Sequence, residues 1–382
     1  MTARFIRSIA DVPRASWNAL VPDGWPFVRH EFLNALETHG CVGGDTGWEP
    51  AHLVIEDGGE LVGALPLYLK VHSWGEFVFD WSWARAYAQA GIEYYPKLVS
   101  MVPFTPATGP HLLVGKSNER RAQVIAELIQ FAKQSHVSSA HLLFLNESDR
   151  DALNERDFLW RKDCQFHWSN RGYASFDDFL ATFRADKRKK ALRERRRIRE
   201  QGIEFRTVYG EEMNAKLWNV VFGFSAATFA AHGNEHYLNV GFFRDVAAAL
   251  PRTIMVKIAE VEGTPIAAAI FFRSQDTLYG RYWGAAADFH SLHFETCYYQ
   301  GIEYCIAEGL QRFEPGTQGE HKVPRGFEPT TTWSAHWIAD PRFRRAIAEY
   351  LQRERDAIDQ YAEQVKEHVP FRRNMDLSLE LK

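Results

Sequence analysis

The sequence predicts an α+β protein of two tandem domains, each with a mixed, mostly antiparallel sheet flanked by helices. Three observations predict this. The 382 residues exceed what one compact core of ordinary size takes. A hydrophobic content of 46% is enough for real cores. One order of elements, helices, then an antiparallel meander, then helix and strand, occurs twice along the chain.

In the first half, residues 16–20 and 29–38 have helical spacing. Residues 52–70, HLVIEDGGELVGALPLYLK, read as strand-like runs joined at Gly58-Gly59, a hairpin signal. Residues 74–95, WGEFVFDWSWARAYAQAGIEYY, hold eight aromatic residues. Alternation at Phe77, Phe79, Trp81 and Trp83 predicts a strand with those four on one face and Asp80 opposite. Such a face packs into a core or serves as a platform for a sugar or a base. Residues 102–113, VPFTPATGPHLL, predict a fixed loop leading into a strand. Residues 118–134 predict an amphipathic helix and 140–145 a buried strand.

In the second half, residues 176–201 predict one long helix stopped at Gly202. A strand follows at 203–208, then helices at 214–231 and 240–250. Residues 252–284 predict three strands, with turns at Glu262-Gly263-Thr264 and Ser274-Gln275-Asp276. Residues 293–310 predict a helix, 312–314 and 330–338 strands, and 342–368 a closing charged helix. The boundary is expected near 172–175, giving domains 1–173 and 174–382.

The N-terminal MTARFIRSIADVPRASW has no apolar h-region, and no apolar run approaches about 18 residues, so neither a signal peptide nor a transmembrane segment is expected. A cytoplasmic protein is the expectation. Cys41, Cys164, Cys297 and Cys305 show no paired spacing and are expected as free thiols.

Chemistry is concentrated in the second half. From Arg184 to Arg199, ten of sixteen residues are Lys or Arg, although the whole chain has net charge −4. Phe179, Phe183, Ala191 and Ile198 form a narrow apolar seam, which leaves several basic faces outward. The run Lys189–Arg193–Arg197 places like charges four apart, at a cost of a few tenths of a kcal/mol each. Such a helix is either a solvated face or a cradle for phosphates, with Lys187, Arg188, Lys189, Arg193 and Arg197 as the phosphate-binding set. Residues 314–329, EPGTQGEHKVPRGFEP, predict a loop between two strands, where sites tend to lie. In it Lys322 and Arg325 are candidates to stabilise developing negative charge, and His321 and Glu320 to act as base for an attacking amine. Upstream, Arg281 closes a strand, and His293 and Glu295 open the next helix as lining of an anion pocket. His293 and Cys297 stand four apart, but without a second ligand motif no metal site is expected.

These motifs resemble a known family. The duplicated helix–meander–helix–strand unit resembles the GNAT (acyl-CoA N-acyltransferase) fold. The basic helix KRKKALRERRRIREQG, HKVPRGF at 321–327 and VPFTPATGPHLL resemble the Fem-type peptidoglycan aminoacyltransferases, which have two such domains in tandem. FVFDWSWARAY, YYPKL, LHFETCYYQGIEYCI and FEPGTQGEHKVPRGF resemble a bacterial branch assigned to peptidoglycan biosynthesis or recognition. The resemblance implies an acyl- or aminoacyltransferase acting on an amine of a phosphate-bearing substrate, such as a peptidoglycan precursor. It implies aminoacyl-tRNA or acyl-CoA as donor, tRNA as a partner, and Lys322 or Arg325 at the acyl ester. The stretch WGAAADFHSLHFE does not carry the Gly-rich pyrophosphate loop of acetyl-CoA enzymes, which counts against plain acetyl-CoA use. Two functions compete with this one: an acetyl-CoA-dependent N-acetyltransferase, and a non-catalytic recognition protein for a cell-wall precursor or RNA.

Overall fold

The computed structural model describes residues 1–372 apart from Asp23, Lys116, Glu155 and Gln318. Gln318 of the late loop and the final residues of the second expected domain therefore lie outside the described residues.

In chain order the elements begin with β1 (Thr2–Ile6), α1 (Arg14–Asn18), α2 (His30–Thr38), β2 (Trp48–Pro50), β3 (His52–Asp57), β4 (Glu60–Leu65) and β5 (Tyr68–Lys70). Next come α3 (Trp81–Gln89), β6 (Lys97–Ser100), α4 (Asn118–Gln134), β7 (Ser139–Leu142), α5 (Glu147–Asn154) and β8 (Leu159–Ser169). The chain continues with α6 (Phe176–Ala181), α7 (Ala185–Glu200), β9 (Glu204–Tyr209), α8 (Ala215–Ala231), α9 (Val240–Ala249), β10 (Ile254–Val261), β11 (Thr264–Arg273) and β12 (Thr277–Ala285). Last are α10 (Leu292–Phe294), a π-helical turn (Glu295–Tyr299), α11 (Gln300–Glu308), β13 (Arg312–Glu314), β14 (Glu328–Ile338) and α12 (Pro341–Lys366).

Contacts divide the chain into two compact units: Met1–Cys164 with Thr331–Gln360, and Gln165–Thr330 with Tyr361–Lys382. A single cut at 173/174 does not describe this division, because strands return across it. Ala335 of β14 pairs with Leu142 of β7, which places this late strand in the first unit. Trp168 of β8 pairs with Phe313 of β13, in the second.

In the first unit, β1, β3 and β4 form a small antiparallel sheet, and β2, β5, β6, β7 and β14 lie side by side in that order. Gly58 and Gly59, both at positive φ, turn β3 into β4. β6 and β7 run parallel, with α4 as the crossover between them. Val124, Ile125 and Leu128 of α4 are buried against Leu53, Ile55 and Leu98 of the strands.

The second unit repeats the scheme. Its order is β8, β13, β12, β11, β10, β9. β9 to β12 form an antiparallel meander. β12 and β13 run parallel, Leu278 opposite Phe313, with α10 to α11 crossing between them. None of the four cysteines is in a disulfide.

Three expectations change. The aromatic stretch at 74–95 is not a strand: Trp74 and Phe79 lie on a loop, and α3 begins at Trp81. Trp83 and Tyr87, four residues apart, are buried with Ile347 and Leu351, so a period of four overrides the alternation. The helix expected over 176–201 is broken at 182–184. There the Arg184 N–H donates to Pro370 O, and Phe183 is buried and bridged to Phe371. The proline-rich loop is not wholly irregular, since Glu320–Arg325 form a short 3₁₀ turn.

Candidate functional site

α7 docks through the seam its sequence announces, Ala191 and Ile198, but with a carboxylate added: Glu194 is buried between them. Glu194 Oε1 accepts from Arg325 Nη2 (2.8 Å) and Oε2 from the Tyr299 hydroxyl (2.7 Å). The neighbouring Arg195 reaches Glu295 (3.1 Å) and Glu303 (2.7 Å), and its guanidinium lies over Phe176. Two of the helix's ionic groups are thus spent on internal pairs. Lys189 and Arg193 remain exposed, and Lys187 and Arg188 are half-buried. Arg197 is exposed and donates through Nη1 to the His290 ring (3.1 Å).

The late loop ends at Gly326, at φ +94°, where a Cβ would stand 2.6 Å from the Phe179 ring. This position needs glycine on both counts. Phe327 beside it is fully buried and packs edge-on against Tyr298 and Phe313. Arg325 Nη1 donates to His321 O (2.6 Å), and its guanidinium stacks 3.4 Å from the Phe294 centroid. With Glu194 on its other edge, Arg325 is a fastening between loop and helix.

Lys322 has a different environment. It is buried, and its ammonium donates to Gly316 O (2.7 Å). No carboxylate pairs with it among the described residues. Burial first, and the Arg281 charge second, push its pKa from 10.5 down to about 7.

Beyond Tyr279 and Glu314, the last paired residues of β12 and β13, a cleft of about 100 Å³ opens. Arg281, Trp283, His293, Cys297, Tyr298 and Pro315 line it, over a floor from β11. The π turn sets this lining. Cys297 and Tyr298 face the cleft, whereas Glu295 and Tyr299 point back to α7. Arg281 Nη1 donates to Gly280 O (2.8 Å), and its buried Nε and Nη2 have no protein acceptor among the described residues. Burial lowers the Arg281 pKa, and Glu314 offsets part of that. Burial, then His321, Arg325 and Lys322, hold His293 near a pKa of about 4, so its imidazole is neutral at physiological pH. His321 is likewise lowered, mainly by burial and Lys322, and its Nε2 meets the Tyr298 hydroxyl at 2.8 Å.

Of the residues singled out from sequence, Arg281 and His293 line the cleft. Lys322 is not part of the lining, but the Arg281 charge lowers its pKa and its own charge in turn pulls down that of Cys297. Glu320 is exposed and accepts from the Tyr361 hydroxyl (2.8 Å). Glu295 is a buried partner of Arg195 and Gln300 rather than pocket lining. None of Lys187, Arg188, Lys189, Arg193 and Arg197 lines the cleft. Cys297 shares a face with the cleft-lining His293 at helical spacing, whereas Tyr298 escapes a sequence reading because nothing in the sequence announces the π turn over Glu295–Tyr299.

Among solved structures, the crystal structure of FemX superposes with a TM-score of 0.53 at 10% identity, over 91% of this chain and 100% of that one. The C-terminal domain of a putative lysylphosphatidylglycerol synthetase from Agrobacterium fabrum gives 0.55 at 10% identity, covering 90% and 96%. L-PGS from Bacillus licheniformis gives 0.51 at 9% identity, covering 86% and 98%. At such identities the similarity is one of fold, and the fold is the α+β, tandem GNAT-like arrangement. No curated protein matches the sequence. A family model described as peptidoglycan biosynthesis/recognition, FemAB-like, matches residues 8–373. The chain belongs to this FemAB-like family.

Proposed function

We propose that the second unit is an acyl- or aminoacyltransferase centre that joins an activated acyl group to an amine on a phosphate-bearing substrate, of the kind a peptidoglycan precursor provides. The observation that carries this reading is a buried cation in the cleft lining, Arg281, with a second buried cation, Lys322, close enough to feel its charge. Arg281 has two buried donor atoms without a protein acceptor, and Lys322 is buried without a counter-ion among the described residues. Buried donors left in this way are costly unless an anion or developing oxyanion completes them. Perturbed groups of this type concentrate at sites.

In this reaction the amine attacks the acyl carbonyl, the bond from that carbon to the leaving oxygen or sulfur breaks, and an amide forms. Arg281 meets the charge that develops on the carbonyl oxygen, and Lys322 adds its field from behind. The neutral His321, held by Tyr298, takes the proton the amine loses. Arg325 positions the loop through Glu194 and does not touch the acyl group. The exposed cations of α7 hold the phosphates of the donor or acceptor, as an aminoacyl-tRNA or a nucleotide-linked precursor would require. A cytoplasmic site of action fits such donors.

The deciding experiment supplies the full chain with aminoacyl-tRNA or with acyl-CoA, plus an amine-bearing muropeptide precursor, and follows the acceptor mass. A mass gain from one donor that disappears in Arg281→Met supports the reading. No gain with either donor, or a gain indifferent to Arg281, removes it.

A further inference from the structure

Residues 71–80, VHSWGEFVFD, have inverted polarity. Their polar side chains point in: Ser73, Glu76 and Asp80 are at most 2% exposed. Their large apolar ones point out: Val71 is 55% exposed, Trp74 58% and Phe79 46%. Loops of soluble proteins normally do the opposite.

Considerable ionic structure maintains this inversion. The fully buried Lys97 donates to Ser73 (2.8 Å), Glu76 (2.7 Å) and Asp80 (2.5 Å). The Tyr94 hydroxyl donates to Asp80 as well (2.5 Å). The backbone around each outward residue is also held. Lys70, itself buried, donates to Trp74 O (3.2 Å) from above the Trp48 ring, and Arg161 Nη1 donates to Phe79 O (2.9 Å). His72 Nδ1 accepts from the Trp74 N–H (3.2 Å), so its Nε2 carries the proton and donates to Thr46 O (3.0 Å). Trp74 leans edge-on against Trp81 at 5.3 Å.

Charge identifies the occupant. From Val71 to the end of α3 at Gln89 the only carboxylates are Glu76 and Asp80, both buried on Lys97, and the next acid, the exposed Glu93, lies beyond the helix. The outward charge of the stretch is therefore that of Arg85, exposed on α3. A rigid display of Val, Trp and Phe, free of outward acid and accompanied by arginine, matches the boundary between headgroups and acyl chains. A glycan platform would need polar side chains around the indole, whereas Val71 and Phe79 offer none. We infer that this loop is a membrane-contact surface, with Val71, Trp74 and Phe79 entering the interface of a bilayer that contains anionic lipid and Arg85 meeting a headgroup phosphate.

The test is sedimentation of the full chain with phosphatidylglycerol–phosphatidylcholine vesicles. Wild type is expected in the pellet, with a partition coefficient reduced roughly tenfold or more in the V71S/W74S/F79S variant. Arg85→Gln should weaken binding only to vesicles that contain phosphatidylglycerol. Quenching of wild-type tryptophan emission by brominated lipid, reduced in Trp74→Phe, gives a second readout should the triple variant fail to fold. Wild type remaining in the supernatant, equal binding by the folded triple variant, or a Trp74 response to soluble glycan but not to vesicles overturns the inference.

Discussion

Arg325 and Glu194 form a buried ion pair at 2.8 Å, which fastens the late loop to the basic helix through an acid of that helix. The pair is completed by the Tyr299 hydroxyl and by stacking on Phe294. A buried pair adds little over a well-packed apolar one, but removing one member strands the other.

Glu194→Gln is therefore expected to cost about 3–5 kcal/mol, because it leaves Arg325 charged and buried. The double change Glu194→Gln with Arg325→Met should recover much of that loss. Urea denaturation of the two variants checks this. Equal stabilities of single and double variants would show that the pair is not the fastening.

Lys322 links stability to pH in a defined direction. Its folded pKa of about 7 lies below the ordinary 10.5, so between those values the unfolded chain holds a proton that the native chain lacks. Its contribution is fully favourable above 10.5 and declines as pH falls through about 7. Lys322→Met should then stabilise the protein by about 2 kcal/mol near pH 7, with the gain shrinking as pH rises toward 10. It should also slow transfer. Thermal melts across that range are the measurement, and a gain that grows with pH would refute the assignment.

Much of the fold is legible in local chemistry. Gly58-Gly59 and Glu262-Gly263 mark turns because the glycines stand at positive φ, and α4 spans the residues its apolar periodicity indicates. The seam of α7 is legible too, since Ala191 and Ile198 are buried. What escapes is set by partners remote in sequence. The helix breaks because Phe371 bridges to Phe183 and Pro370 O accepts the Arg184 N–H, and nothing between 176 and 201 carries that information. Trp81 and Trp83 alternate as in a strand, yet Ile347 and Leu351 select Trp83 with Tyr87. At the site, Arg281 and His293 are recognisable by residue type and position. The π turn that separates Glu295 from Cys297 and Tyr298 has no glycine or proline to announce it.

The outward cations of α7 make a separable prediction. Lys189 and Arg193 are exposed and have no ion pair among the described residues, so Lys189→Glu with Arg193→Glu should change stability by less than about 0.5 kcal/mol. If these residues grip phosphates, the same double variant should bind tRNA more weakly and show a shallower dependence of log affinity on log salt. Filter binding over a salt series measures this. An unchanged slope would reassign this face of α7 to plain solvation.

Two glycines near one another in the fold should respond oppositely. A Cβ on Gly284 would lie 2.0 Å from Phe224 O, a backbone atom of α8 that cannot easily yield. Gly284→Ala is expected to cost about 3 kcal/mol or more by forcing β12 and α8 apart. Gly223, inside α8, has open space where its Cβ would be, so Gly223→Ala should stabilise by about 0.5–1 kcal/mol. Opposite shifts of the melting temperature confirm the close approach, and a loss at both positions would count against it.

In the first unit, Lys97 is the single cation among the described residues that donates to Glu76 and Asp80 together, and all three are buried. Burial already lifts the Glu76 carboxyl to about 7, against the pull of Lys97. Replacing Lys97 by Met leaves two buried carboxylates with no counter-charge between them, at an expected cost of about 3–5 kcal/mol near neutral pH. The sign with pH follows from their response. Both carboxyls would rise above their unfolded values, so the native variant would bind protons that the unfolded chain releases. Its stability should be greatest below about pH 4 to 5 and be lost as pH rises toward neutrality. Adding Glu76→Gln and Asp80→Asn to Lys97→Met should flatten this dependence and restore part of the loss. Urea unfolding of the single and triple variants at a mildly acidic and a mildly alkaline pH separates the cases. A Lys97→Met protein whose stability rises from acid to alkaline pH would show that the two carboxylates do not depend on this lysine.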